Sequence, residues 1–184
     1  MNKPVTIPLD ASFKARFTTA EFVEMTALGA FGDMKVELVH GELERMNPPH
    51  NAHASRQAQI VIRLARFVPE ALLRGEVGID LGSDTVMGCD AAVLRRQVDQ
   101  VGLLKSEDMA LAIEIAETTI ARDLGIKRLA YAGANIPFYW VVDGERSVTH
   151  VFSEPVLGDY AVIGTVRFGE PLSVPGTDRT IVID

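Results

Sequence analysis

A glutamate inside an apolar strand and a lysine on the seam of an apolar helix are the residues of this chain best placed to do chemistry. Glu114 interrupts the run "MALAIEIA". Successive strand residues point to opposite faces, so Glu114 shares a face with Ala110, Ala112 and Ala116, while Leu111, Ile113 and Ile115 take the other. Small neighbours leave space around the acid, and an unpaired buried carboxylate costs several kcal/mol unless a metal, a cation or a proton accompanies it. The alternative is a strand-end glutamate that reaches water. Lys127 shares one helical seam with Ile120, Leu124 and Tyr131. Its plainer readings are an i,i+4 pair with Asp123, worth a few tenths of a kcal/mol, or a lysine that snorkels past the core edge.

Two further acids stand near turns. Asp90 opens "DAAVL" beside Cys89, at the expected start of a strand, and alone it reads as a turn aspartate. Glu37, in "VELVHG", alone reads as a solvent-facing strand residue. Together the four residues mean more. Two or three carboxylates on adjacent strands suit a hard divalent cation such as Mg²⁺, which takes oxygen ligands and keeps several waters. A nearby lysine positions a water or stabilises charge developing on a phosphate. Acid, acid and lysine around a metal is an arrangement for phosphodiester hydrolysis. His50 and His53 have i,i+3 spacing but no accompanying Cys or His cluster, so a helix-start or solvent role suits them better than zinc. Cys89 has no identifiable histidine partner and reads as a small buried thiol.

These residues need elements to position them. "TTAEFVEMTALG" opens with Thr18 three residues before Glu21, a capping box, and predicts a helix ending near Gly29. "KVELVHGELERM" predicts two strands turning at His40-Gly41. Apolar residues at three- and four-residue spacings predict a helix from Ala52 to Val68. "EVGIDLG" and "DAAVLRR" are strand candidates around the turn "GSD", and "QVDQVGLLKSED" reads as a polar loop. "MALAIEIA" is a central strand buried on both faces. A helix follows, with Thr118 or Thr119 as its N-cap and Gly133 near its end. "IPFYWVVDGERSVTHVF" is a hairpin turning at Asp143-Gly144, and "YAVIGTVRF" and "RTIVID" are further strands. One helical crossover among antiparallel hairpins predicts an α/β or α+β sheet with helices packed on it.

The 184 residues suit one domain, taken as 1–184. With 47% hydrophobic and 23% charged residues the chain is an ordinary soluble globular protein. A formal net charge of −7 argues against strong nonspecific nucleic-acid binding, though a basic strip or a divalent cation can offset the mean. The single cysteine excludes an intrachain disulfide and fits a reducing cytoplasm. The stretch "MNKPVTIPLDASFKARF" has no apolar run long enough for a signal peptide, and no segment approaches the roughly 20 apolar residues of a membrane span.

"DLGIKRLAYAGANIPFYWVVD", Asp123 to Asp143, closely resembles the signature of the Uma2 family of endonucleases, once catalogued as a domain of unknown function. Asp123, Lys127, Tyr131, Pro137, Tyr139, Trp140 and Asp143 match in register. "VELVHGELERMNPP", "CDAAVL" and "IEIAETT" resemble the family's other segments in the right order, over roughly residues 19 to 152. Cys89 stands where the family usually has proline, Phe138 where it often has glutamate, and Glu117-Thr118-Thr119 where a Ser-Pro-Ser-like turn is expected. The resemblance implies a restriction-endonuclease-like fold of the PD-(D/E)xK superfamily, a mixed central sheet flanked by helices. It also implies roles. Asp90 and Glu114 are the metal carboxylates, the Ile115 carbonyl completes the coordination of Mg²⁺ or Mn²⁺, Lys127 is the catalytic lysine, and Glu37 is an additional acid. The expected activity is hydrolysis of DNA by a cytoplasmic protein. A silent nucleic-acid- or protein-binding module is the rival reading. A homodimer is expected, with "FYWVV" and the C-terminal strands as the pairing elements.

Overall fold

The computed structural model describes residues 15–117 and 119–184. The chain builds two mixed sheets. Helix α1 (Thr19–Ala27) opens with the expected capping box between Thr18 and Glu21. Strands β1 (Val36–Val39) and β2 (Glu42–Arg45) pair antiparallel about His40-Gly41, both at positive φ, as a two-residue turn of that type requires. Helix α2 (Asn51–Leu64) ends four residues short of the predicted Val68. Two short strands, β3 (Leu73–Arg74) and β7 (Leu104–Lys105), lie in segments with no strand signal. Strands β4 (Val77–Gly82) and β5 (Thr85–Cys89) form a hairpin. The sequence reading missed β5, because "TVMGC" carries glycine and no clean alternation. Asp90 therefore does not open a strand after a turn. It is the bend between β5 and β6 (Ala91–Leu94), where the chain passes from one sheet to the other.

The first sheet has the order β2-β1-β5-β4-β7. The second has the order β11-β10-β9-β8-β6-β3, from β8 (Met109–Ala116), β9 (Phe138–Asp143), β10 (Val148–Val156) and β11 (Asp159–Arg167) together with β6 and β3. β8 and β9 run parallel, so the segment between them is the expected crossover. That segment is α3 (Ile120–Arg122), a π-helical turn (Asp123–Lys127) and α4 (Arg128–Gly133). Thr119 is its N-cap residue, and Thr118 lies outside the described residues. The left-handed position after the helix is Asn135, at φ 58, rather than Gly133.

Strand β8 is buried on both faces as predicted. One face, with Ala112, Ala116, Tyr139 and Val141, packs with Tyr131, Ala132 and Ile136 of the crossover. The other, with Leu111, Ile113, Ile115, Trp140 and Val142, packs on Ile60 and Leu64 of α2. The ribbon of β12 (Pro171–Ser173) and β13 (Thr180–Val182) adds Leu172 and Ile181 there. The predicted alternation fails at Ala110. A bulge opposite Val93–Leu94 puts Met109 in the first cluster and leaves Ala110 packed against the second.

"FYWVV" belongs to β9, which lies between β8 and β10 and is closed to a partner chain. The edges of that sheet are β11 and the two-residue β3. The hairpin turn after Asp143 is longer than a two-residue turn: Asp143 Oδ1 accepts from the Arg146 amide, and Ser147 takes φ 54. Among the described residues no helix is long and apolar enough to cross a membrane.

Candidate active site

The site grows from the bend at Gly88–Cys89–Asp90. The β1–β5 ladder is the single pair Leu38–Val86. Beyond it the two strands are held by a side chain: Glu37 Oε1 accepts from the Gly88 amide at 2.8 Å. Glu37 is 5% exposed, so the solvent-facing reading fails. The Gly88 carbonyl faces the crossover helix and accepts from Lys127 Nζ at 2.8 Å, with the Tyr131 hydroxyl 3.1 Å away.

Lys127 and Glu114 are 4% and 3% exposed. Lys127 Nζ lies 2.9 Å from Glu114 Oε1 and 3.6 Å from Glu37 Oε1. It is thus neither a snorkelling lysine nor chiefly an intrahelical partner of Asp123. Burial alone would depress the Lys127 ammonium. The negative charges of Glu114, Glu37 and Asp123 outweigh burial and hold it above its ordinary value. Glu114 is not at a wet strand end. Its Oε1 also accepts from the Tyr131 hydroxyl at 2.8 Å. Burial pushes its carboxyl up, Lys127 opposes this, and the charges of Asp90 and Asp123 add to the push.

Asp90 faces α2 and the end of β8. Its Oδ2 accepts from the Ile115 amide at 2.7 Å and lies 3.0 Å from His53 Nε2. Gln57 donates to the Asp90 carbonyl at 2.6 Å. His53, set aside in the sequence as a solvent or helix-start residue, is therefore a partner of the predicted first acid. The hydrogen bond to Asp90 raises the imidazole against the opposing effect of burial. His50 precedes α2, is exposed and is not a partner of Asp90, although it lines the same cavity. Cys89 is buried and its thiol is pushed well up, by burial first and then by the charge of Glu114, which removes it as a nucleophile at neutral pH.

Two residues were legible in type but not in role. Arg122 reaches back to β1 and β2 and donates to Glu37 Oε2 at 2.5 Å and to Glu44 Oε2. Asp123, read only as a helix partner of Lys127, is 3% exposed, and its Oδ2 accepts from the Thr119 hydroxyl at 2.6 Å. Burial raises its carboxyl despite Lys127. A π turn places both of its ends, Asp123 and Lys127, on the buried side. The altered turn after β8 is held by an ion pair of Glu117 with Arg56 of α2. Gly144 makes room for it, since a Cβ there would lie 2.7 Å from the Glu117 carboxylate.

These side chains line one cavity of about 730 Å³. Within it, Glu37, Glu44, Glu76, Asp90, Glu114, Glu117 and Asp123 outnumber the permanent cations Lys35, Arg45, Arg122 and Lys127, with His53 beside Asp90. The negative excess and the hard oxygen donors fit a divalent cation. The bonds made by Asp90 and Glu114 use Oδ2 and Oε1, and among the described residues the other oxygen of each accepts no hydrogen bond. Ile115, named for its carbonyl, lines the same cavity. Among the described residues no three acidic, imidazole or thiol groups converge as a ready-made cage.

Comparison with known proteins gives the fold and the family. The crystal structure of a putative nuclease belonging to DUF820 from Anabaena variabilis ATCC 29413 superposes with a TM-score of 0.58, over 80% of this chain and 87% of that one, at 19% sequence identity. At that identity the likeness is one of fold. No curated protein matches the chain. The family model Uma2, described as "Putative restriction endonuclease", matches residues 19–182, and the chain belongs to that family.

Proposed function

We propose that this protein is a metal-dependent nuclease that hydrolyses DNA phosphodiester bonds. The observation that carries the reading is the Glu114–Lys127 pair, buried at 2.9 Å yet lining a 730 Å³ cavity with Asp90 and Glu37. A chain that needed only a stable core would be served as well by hydrocarbon there. Asp90 and Glu114, with the Ile115 carbonyl, would hold Mg²⁺ or Mn²⁺, which supplies Lewis acidity and a more acidic bound water. His53 and the Ile115 amide fix the Asp90 carboxylate, and Tyr131 fixes that of Glu114. Lys127 stays charged because acids surround it, so it stabilises negative charge on the phosphate rather than removing a proton. Glu37 holds Lys127 and Gly88 in place and is a third acid at the reacting group.

The test is nicking of plasmid DNA with added Mg²⁺ or Mn²⁺. Wild type nicks; Glu114→Ala and Lys127→Ala lose about 100-fold or more, the scale of one removed electrostatic stabiliser. Equal nicking by all three would sink the reading. We further propose that two copies pair through β11. Residues Tyr160 to Val166 of this edge strand are uncharged, and Val162 and Ile163 are 47% and 58% exposed. Such an edge invites a partner strand.

A further inference from the structure

The cavity does not end at the charged cluster. On the far side of Gly88 it continues into a recess lined by Phe22, Phe31, Met34, Val36, Val86 and Leu103. Strand geometry puts the two parts side by side. Gly88 lies two residues from Val86 and so opens on the same face of β5. That face packs with Phe22 and Leu38, and with Phe31, Val36 and Leu103 at its margin. Directly across the ladder stands Gly78. Neither glycine has a positive φ, so the backbone conformation does not demand them. Their effect is space. Leu103 fills the space at Gly78, where a Cβ would lie 2.7 Å from its Cδ2. At Gly88 the nearest atom to such a Cβ is Glu37 Oε1, at 3.5 Å. The sheet therefore presents bare peptide beside an apolar margin with two phenyl rings, whose centroids are 5.6 Å apart. The carbonyl of the same Gly88 takes the hydrogen bond from Lys127.

The basic groups argue in the same direction. Of those lining the cavity, Lys35 is paired with Glu76, Arg122 with Glu37 and Glu44, and Lys127 with Glu114, which leaves Arg45 as the one without an ion pair among the described residues. Little positive charge is left to grip the two backbones of a duplex, which rely on Lys and Arg contacts. A cavity of about 730 Å³ has the size of pockets that enclose a small organic ligand. Single strands are held differently, by stacking of exposed bases on aromatic and apolar side chains.

We infer that the site takes a single-stranded segment, with one unstacked base seated in the Gly88 recess against Phe31 and the adjoining phosphate at Asp90 and Glu114. This substrate class rests on the nuclease reading for its phosphate position. Fluorescence anisotropy tests the base position without turnover. The probes are a labelled single-stranded DNA octamer, the same octamer with abasic sites at its central positions, and a blunt duplex of the same sequence, each with Ca²⁺ as the divalent cation. The intact octamer should bind about tenfold tighter than the abasic one, the scale of one stacked base, and tighter than the duplex. Phe31→Leu, which keeps apolar bulk and removes the ring, should bring the intact octamer to the abasic affinity and leave the abasic affinity unchanged. Equal binding of intact and abasic octamers, or of octamer and duplex, overturns the inference. If Phe31→Leu does not fold, as read by its thermal transition, the wild-type ratios decide alone. Base-dependent binding with no cleavage of either the octamer or the plasmid under Mg²⁺ or Mn²⁺ would keep the recess and drop the nuclease reading. Nicking without any preference for bases would do the reverse.

Discussion

Replacing Lys127 by methionine keeps most of its volume and deletes its charge. What is left behind can be followed atom by atom. The Gly88 carbonyl keeps Tyr131 within 3.1 Å. Glu37 keeps the Gly88 amide and Arg122. Glu114, 3% exposed, keeps only the Tyr131 hydroxyl. The cost therefore falls on Glu114, and losing one partner of a buried pair costs about 3–5 kcal/mol. For a domain of this size that is a fall in Tm of roughly 6–20 °C. The sign with pH is fixed. Without Lys127 the Glu114 carboxyl, already pushed above its ordinary 4.5 by burial, rises further. As pH climbs from the unfolded value through the raised folded one, the folded state must give up a proton it holds tightly. Stability then falls by up to about 1.4 kcal/mol per pH unit. Lys127→Met should thus cost most near pH 8 and least near pH 5.5. Urea unfolding at both values, read as a change of midpoint at constant slope, measures this. The double variant Lys127→Met with Glu114→Gln should recover at least half of the loss at pH 8. A pH-independent cost, or a loss under about 1 kcal/mol at pH 8 where 3–5 is expected, would refute the assignment of Lys127 as the counter-charge of Glu114.

Other perturbations reach the rest of the site. Mg²⁺ should raise Tm more at pH 8 than at pH 5.5, because protons on the raised carboxyls of Glu114 and Asp123 compete with the cation at lower pH; Asp90→Asn and Glu114→Gln should each abolish the rise in a thermal-shift titration. Arg122→Met should destabilise by about 2 kcal/mol, the worth of hydrogen bonds to a charged group, since Glu37 and Glu44 lose their shared partner; a urea midpoint reads it, and an unchanged midpoint would mean that the clamp is not formed. Ile163→Lys, which puts a charge on the β11 edge, should shift the protein from dimer to monomer in sedimentation equilibrium.

Elements with a strong period were legible in the sequence, and so were residues out of place in them. The run around Glu114 and the seam through Lys127 each contain one polar residue where burial demands an apolar one, and both are buried and paired. Strand β5 was not legible, because three of its five residues, Thr85, Gly88 and Cys89, are small or polar and its role is to carry backbone into the site. With β5 missed, Asp90 reads as following a turn, whereas it is the bend between β5 and β6. Asp123 was hidden by its own helix: four residues before Lys127, its spacing is equally that of a surface pair. Arg122 and His53 were out of reach for another reason. Their partners lie at sequence separations of 85 and 37 residues, which no local pattern encodes.

The π turn from Asp123 to Lys127 also makes the protein's function sensitive to chain length. A π turn holds one residue more than the α-helical turn it replaces. Loss of Gly125 or Ile126 would let the crossover relax into ordinary α-helix, an improvement by local preference alone. One full turn would be exchanged for another, so α4 would keep nearly its phase relative to α3 and Tyr131 would still face Glu114. The change falls inside the turn: Asp123 and Lys127, now four residues apart at its two ends, would stand three apart. The extra residue thus sets the separation of an acid and a base rather than the direction of the helix that follows, and a single-codon deletion there would alter that separation while changing no charge.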